Sequence, residues 1–220
     1  MTEFFTGRSF GDFLFGFGAL FAIINPYGMA FVFLDRTLSL SVSERASIAF
    51  RVAIYAFFVL MVSLFVGSEI MRFFGISMPA LRIAGGLVVA ATGWSMLHAA
   101  PLAAADHASS SANYTAIRGM AFFPLTIPLT TGPGSIATAI AISTSRPSDL
   151  DALFILSIVW LIVAVAVSAT IYHAYAKSSA MARLLGAEGT GVITRLSAFL
   201  LLCIGVQIMI TGIVEVGKSI

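Results

Sequence analysis

The pentapeptide Ile24-Asn25-Pro26-Tyr27-Gly28 lies in the middle of the first apolar segment and decides how that segment folds. Proline offers no backbone N–H, clashes with the preceding helical turn and pushes the residue before it out of the helical region. Glycine two positions later permits backbone geometry that other residues resist. We therefore expect a helix that enters at Asp12 to break near Asn25 and to restart near Gly28.

A second stretch of the same kind, Thr130-Thr131-Gly132-Pro133-Gly134-Ser135, lies in the second half of the chain. For one isolated proline, a structural kink is the simpler interpretation, because neighbouring helices satisfy the freed backbone groups. Two such clusters at corresponding positions instead favour the discontinuous helices of membrane transporters. We expect the two breaks to face each other and to form a substrate site.

The composition is that of an integral membrane protein. Of the 220 residues, 59% are apolar and only 10% are charged, and the mean hydropathy is +1.02. Soluble domains carry about 25% charged residues. The net charge of +2 is too small, and the basic residues too scattered, to indicate nucleic-acid binding. The start of the chain lacks the order of a cleavable signal peptide, so we expect the first apolar segment to be retained.

Six stretches contain no Asp, Glu, Lys or Arg and approach or exceed the roughly 20 residues that cross a bilayer. They are residues 13–34, 52–68, 83–105, 119–145, 152–176 and 196–214, and the helix of the second stretch can extend through Ile48 and Met71. Backbone groups in lipid must bond within their own segment, so each stretch is predicted to be a helix. The fold class expected is an all-α membrane protein with six spans, in which helices 1 and 4 are discontinuous.

The order of sequence features predicts two related halves in one transporter domain, 1–220. Repeat one covers about 10–98, a Ser/Ala-rich linker covers 99–115, and repeat two covers about 116–217. Phe74-Gly75 precedes Arg82 in the first half, as Leu185-Gly186 precedes Arg195 in the second. Three spans per half is an odd number, so the second repeat must be inverted relative to the first, which is a recurring transporter design.

The basic residues favour one orientation in the membrane. By span counting, one side carries Arg8, Arg72, Arg82, Arg146 and Lys218, and the other carries Arg36, Arg45, Arg51, Arg118, Lys177, Arg183 and Arg195. The positive-inside rule favours the second set as cytoplasmic. Both termini are then expected on the periplasmic side.

The two breaks offer a site for a zwitterion. A broken helix exposes carbonyls at the end of one half and N–H groups at the start of the other, with partial charges of roughly −0.5 and +0.5. These groups suit the ammonium and the carboxylate of a small neutral amino acid. The predicted substrate-binding residues are Asn25, Pro26, Gly28, Thr130, Thr131, Gly132, Pro133, Gly134 and Ser135.

Other chemistry is not indicated. The sequence has no P-loop, no HExxH and no GxSxG motif, no acid deep in a span, and three scattered histidines, so we expect no enzyme activity, cofactor or metal. Arg82 and Arg195 begin corresponding spans. Membrane-edge anchoring is the simpler interpretation of both, and gating at the two sides of the site is the alternative.

Four motifs resemble the MarC family of bacterial inner-membrane proteins: IINPYGMAFVFL, FGISMPALRIAGG, FFPLTIPLTTGPGSIAT and ITRLSAFLL. The resemblance covers nearly the whole chain. It implies six spans, and it carries over Asn25, Pro26, Gly28, Gly132, Pro133 and Gly134 as functional positions. The SnatA-type relatives of that family are small neutral amino acid transporters, and the wider group is similar to LysE-type exporters.

The function expected is export of small neutral amino acids such as glycine, alanine, serine or threonine, with one half of the chain rocking against the other. Two alternatives stay open. A drug or metabolite efflux protein is expected to have a wide, aromatic-lined cavity. A non-transporting membrane scaffold is expected to have its breaks packed shut.

Overall fold

The computed structural model describes residues 7–98, 115, 117–143 and 149–219. All regular structure in these residues is helical, and they contain no strand. The helices are α1 (Gly7–Ile24), α2 (Pro26–Arg36), α3 (Val42–Phe65), α4 (Gly67–Phe73), α5 (Met78–His98), α6 (Ala121–Thr130, wound largely as a π-helix), α7 (Pro133–Ser143), α8 (Leu150–Ala176) and α9 (Ser178–Ser219). The predicted linker lies, apart from Thr115, outside the described residues.

Among the described residues, five helical segments are long and apolar enough to cross a membrane. They are Ser9–Arg36, Val42–Phe65, Met78–His98, Leu150–Ala176 and Gly191–Lys218. The pair α6 and α7, bent by 66° at their junction, makes a sixth if it is counted as one span. The prediction of an all-helical chain with several apolar spans is confirmed, with five to six of them.

The second span begins earlier than the charge-free stretch 52–68 predicted. Helix α3 starts at Val42, where Ser41 and Glu44 form a capping box: the backbone N–H of each residue donates to the side chain of the other, at 2.9 and 3.3 Å. The first turns of α3 therefore carry charged residues, which a criterion based on apolar residues alone excludes.

The hydrophobic core lies between α3 and α8, and α1 and α2 both pack against α8. Two aromatic pairs fix the relative direction of α3 and α8. Phe50 contacts Tyr172 with ring centroids 5.8 Å apart, and Phe65 contacts Trp160 at 5.7 Å. Since the later residue of α3 meets the earlier residue of α8, the two helices are antiparallel.

Helices α5 and α9 form the most extensive helix pair in the described structure, and small residues make their close approach possible. A Cβ atom placed on Gly205 would lie 2.3 Å from the backbone N of Ala90, and one placed on Gly86 would lie 2.6 Å from the carbonyl O of Gly205. One on Gly93 would lie 2.8 Å from the carbonyl O of Ala198, so this pair is also antiparallel. Glycine at such interfaces lets two helix backbones touch.

Candidate functional site

The first break is a single residue, Asn25, in the left-handed conformation with φ 46° and ψ 60°. Asparagine tolerates this region better than most residues that carry a side chain. The backbone N–H of Asn25 still donates to the carbonyl of Phe21 at 2.9 Å, while Pro26 opens α2 and has no N–H to offer to the carbonyl of Ala22. The break thus leaves a helical carbonyl without its usual partner in the middle of a span.

The amide side chain of Asn25 caps the restarted helix. Asn25 Oδ1 accepts from the backbone N–H of Gly28 at 3.3 Å. The backbone carbonyl of Asn25 accepts from the backbone N–H of Met29 at 2.9 Å. A Cβ atom on Gly28 would lie 2.4 Å from Nδ2 of Asn25, so the amide folds over a position that only glycine leaves free. In this conformation Asn25 itself occupies an N–H group that a ligand carboxylate would need.

The second break lies between α6 and α7, at Thr131 and Gly132. The backbone leaves the helical region at Thr131 (φ −108°, ψ 79°), and within α6 also at Phe123 and Ile127. The backbone N–H of Thr131 donates to the carbonyl of Thr126 at 2.8 Å. A Cβ atom on Gly132 would lie 2.7 Å from the carbonyl O of Pro128, so the chain folds back on itself at this glycine.

The hydroxyl groups around the second break bond to nearby backbone carbonyls of α6 and of Gly132. Thr130 Oγ1 donates to the carbonyl of Leu125 at 2.7 Å, and Ser135 Oγ donates to the carbonyl of Gly132 at 2.8 Å. Thr131 is fully buried, with its hydroxyl 3.3 Å from the carbonyl of Thr126. A polar ligand would therefore have to exchange these bonds for its own.

The end of α1, next to the first break, and the residues around the second break line one cavity. Its lining residues are Ile23, Ile24, Val89, Pro128, Leu129, Thr130, Gly132, Gly134, Ser135, Leu201, Ile204 and Ile208. The last turn of α1, before Asn25, thus meets the residues on each side of the second break. The free space is about 20 Å³, enough for a water molecule and too small for an amino acid. No charged and no aromatic side chain lines this cavity.

The structure places the predicted site residues in two groups. Thr130, Gly132, Gly134 and Ser135 line the cavity. Asn25, Pro26, Gly28, Thr131 and Pro133 belong to the breaks without lining it. Pro133 is turned toward α5, where a Cβ atom on Gly85 would lie 2.6 Å from the Cβ of Pro133. The apolar wall from α5 and α9, namely Val89, Leu201, Ile204 and Ile208, was not predicted, because nothing distinguishes these residues from lipid-facing ones in the sequence.

Tyr175 is a further residue of the site region that sequence reasoning missed. It is fully buried on α8, and its hydroxyl lies 2.8 Å from Thr130 Oγ1. Its ring stacks on Phe33 of α2, with centroids 4.5 Å apart. Tyr175 therefore links the restarted helix of the first half to the broken helix of the second.

Arg82 and Arg195, for which gating was the alternative to membrane-edge anchoring, lie toward opposite ends of the α5–α9 pair. Arg82 forms an ion pair with Glu215 near the start of α5, with side chains 22% and 36% exposed. Arg195 is exposed on α9, three residues before Ala198, which contacts Gly93 in the second half of α5. The structure thus gives Arg82 an acidic partner on the other half of the chain and leaves Arg195 at the protein surface.

A buried arginine, Arg45, connects several segments at the end of the helix bundle opposite to the Arg82–Glu215 ion pair. Arg45 is 5% exposed, and its guanidinium donates to the carbonyls of Thr37 and Leu40 at 2.7 and 2.9 Å and to Thr37 Oγ1 at 3.0 Å. It also donates to the hydroxyl of Ser179, at the start of α9. This network joins the α2–α3 turn to the second half of the chain.

No group of three or more His, Cys, Asp or Glu residues in the described ranges is arranged to hold a metal ion. The site is therefore built from backbone ends, amide and hydroxyl groups, and aliphatic side chains.

Comparison with known proteins gives a consistent match along the chain. The family model described as "MarC family integral membrane protein" matches residues 10–216. The inner membrane protein MarC of Salmonella typhimurium is 35% identical over 211 residues, which cover 93% of this chain and 95% of the relative. The protein of the same name from Escherichia coli O6:H1 is 36% identical over 209 residues, with the same coverage. No solved structure matches the chain significantly.

Proposed function

Because the chain belongs to the MarC family of integral membrane proteins, we propose that it is a bacterial inner-membrane transporter that exports small neutral amino acids such as glycine, alanine, serine or threonine. The relatives are named inner membrane proteins, which supports this location. The observation that carries the proposal is the cavity where Ile23 and Ile24, before the first break, meet the second break. The residues around the second break that line it are Thr130, Gly132, Gly134 and Ser135. Two helix breaks around one small, uncharged space suit a small, net-neutral substrate.

The pairing of the helices supports an inverted repeat. Counted from each half, the second spans are α3 and α8, and the third spans are α5 and α9. Each of these pairs packs together and runs antiparallel, as a two-fold axis in the membrane plane requires. Gly75 and Gly186, which precede the third spans, both have a positive φ, 65° and 71°. The two broken helices, the first spans, then meet at the axis.

The substrate would be held by groups that now bond to one another. The ammonium would meet free carbonyls at the end of α1, such as that of Ala22, because Pro26 supplies no donor there. The carboxylate would take the N–H groups at the start of α2 or α7, where the helix dipole favours an anion. If the carboxylate binds at the start of α2, the bond between Asn25 Oδ1 and the backbone N–H of Gly28 would break. The amide of Asn25 would then bond the substrate directly.

The mechanism proposed is alternating access, in which two groups of helices rock against each other around the cavity. The free space of about 20 Å³ is too small for an amino acid, so the two groups of helices would have to move apart around the cavity for a substrate to bind. The positive-inside rule would place the end with Arg45 in the cytoplasm and both termini in the periplasm. The ion pair between Arg82 and Glu215 would then close the periplasmic side.

The tight cavity also favours a second candidate function. A membrane scaffold that transports nothing would pack its breaks together, and a space the size of one water molecule agrees with that. The drug-efflux alternative has less support, because it calls for a wide cavity with aromatic walls, whereas the lining here is aliphatic.

Counterflow of radiolabelled glycine and alanine in proteoliposomes tests the proposal, with lysine as the control substrate. We expect flux of the two small amino acids and none of lysine. Thr131→Val and Asn25→Ala should reduce that flux, whereas Thr92→Val, on an exposed face of α5, should not. Absence of flux for every amino acid, with correctly folded protein, would favour the scaffold function instead.

A further inference from the structure

We propose that Val89 of α5 and Ile208 of α9 form a size filter that limits the side chain of the transported amino acid. This inference rests on the proposed function and adds to it the residues that set substrate size. Neither residue carries a polar group, and neither belongs to a break. Both line the cavity between the end of α1 and the second break.

The two branched side chains lie directly against the glycines of the second break. A Cβ atom on Gly134 would lie 2.6 Å from Ile208 Cδ1, which is closer than real carbon atoms approach. A Cβ atom on Gly132 would lie 3.6 Å from Val89 Cγ2, at ordinary contact distance. The space above each glycine is therefore already filled by one methyl group from the facing wall.

The distribution of polarity around the cavity directs a bound substrate. The backbone carbonyls and hydroxyl groups that line the cavity come from the second break, while Leu201, Ile204 and Ile208 form an aliphatic wall on α9. An amino acid whose ammonium and carboxylate bind the broken helix ends would point its side chain at this wall. Each additional methylene of the substrate would then have to displace Ile208 or Val89.

Val89 and Ile208 cannot move apart by a separation of α5 from α9, because these two helices are in backbone-to-backbone contact. A Cβ atom on Gly86 would lie 2.7 Å from the backbone N of Met209, the residue after Ile208. The backbone of Ala90, the residue after Val89, lies against Gly205. A larger substrate would thus have to push a whole helix pair aside, and not one flexible side chain.

The test measures the ratio of leucine flux to alanine flux in proteoliposomes for Ile208→Ala and Val89→Ala. The matched controls are Ile210→Ala and Val88→Ala, the same changes on the same helices at positions that are 47% and 42% exposed. One methylene in an apolar pocket changes discrimination by about 10–200-fold. We expect I208A to raise the leucine-to-alanine ratio at least about tenfold, V89A to raise it less, and both controls to match the natural protein.

The outcomes separate the filter from the function on which it rests. Flux of alanine with an unchanged leucine-to-alanine ratio in I208A and V89A would overturn the filter and leave the transporter in place. Flux of no amino acid in the natural protein would overturn both. If I208A loses alanine flux, leucine counterflow by the same protein decides: gained leucine flux supports the filter, and none overturns it.

Discussion

The hydroxyl oxygens of Thr130 and Tyr175 lie 2.8 Å apart in a fully buried environment, although the two residues are 45 positions apart in the sequence. Thr130 ends the broken helix α6, and Tyr175 stands near the end of α8 with its ring stacked on Phe33. One contact therefore connects the second break, the restarted helix α2 and the central helix α8.

Removing the phenol hydroxyl tests this connection. Tyr175→Phe should lower the free energy of unfolding in detergent by about 1 kcal/mol, because Thr130 keeps its bond to Leu125 and only one bond is lost. Thr130→Val should lower the free energy of unfolding less in the Tyr175→Phe protein than in the natural protein, since the two residues share one interaction. Tyr172→Phe, on the 41% exposed neighbour, should change little. Equal effects of the two tyrosine changes would contradict the role of this contact.

The left-handed conformation of Asn25 predicts an unusual order of substitutions. Asn25→Ala should be destabilising by about 2 kcal/mol, because alanine pays about 1–2 kcal/mol at a positive φ and also loses the cap on Gly28. Asn25→Gly should cost less than 1 kcal/mol, since glycine accepts the backbone geometry and is a tolerated cap.

Thermal unfolding of the two variants in the same detergent measures this order. If transport depends on the amide, N25G should fold well and still lose glycine flux. An N25A protein as stable as N25G would show that the break does not hold the conformation described.

The contact between α5 and α9 predicts a large effect from one methyl group. In Gly205→Ala the new Cβ would meet backbone atoms of Ala90, at 2.3 Å from N, and backbone cannot turn aside as a side chain can. We expect a loss of about 3 kcal/mol in unfolding free energy, at the upper end of overpacking effects. Gly217→Ala, on the same helix with nothing within 4 Å, should be neutral or slightly stabilising.

Charge reversal tests whether the ion pair between Arg82 and Glu215 closes one side of the site. The pair is partly exposed, so its loss should cost at most about 1 kcal/mol of stability. Arg82→Glu should nevertheless change amino acid flux, and Arg82→Glu with Glu215→Arg should restore it. The same exchange in the more exposed pair Glu69 and Arg72 is the control. A double reversal that restores nothing would assign Arg82 to membrane-edge anchoring.

The buried guanidinium of Arg45 should not be replaceable by an ammonium. Lysine carries the same charge but lacks the planar fork that serves Thr37, Leu40 and Ser179 together. We expect Arg45→Lys to cost about 2 kcal/mol, since hydrogen bonds to charged groups contribute about 1.5–3 kcal/mol. Arg36→Lys, at an exposed position nearby in sequence, should have no measurable effect in the same unfolding experiment.

The sequence predicted those features whose causes are local. Pro26 and Gly28 predicted the departure from helical geometry that the structure has at Asn25, because proline and glycine act on their own backbone. The start of α3 was missed because its cap, Ser41, precedes charged residues that a search for apolar runs discards. Tyr175 and Ile208 were missed for a different reason: their partners, Thr130 and Gly134, are brought to them only by the packing of distant spans.

The backbone contact between α5 and α9 sets a boundary on motion in this molecule. Helix α5 comes from the first half of the chain and α9 from the second. Glycines on both helices bring the two backbones into direct contact, without side chains between them. A motion that separated the two halves, or that slid one helix along the other, would break the backbone contact between α5 and α9. In the proposed transporter, each moving unit would therefore combine helices from both halves of the chain, and the α5–α9 pair would move as one unit past the core of α3 and α8. The boundary between moving units would then differ from the boundary between the two halves of the sequence.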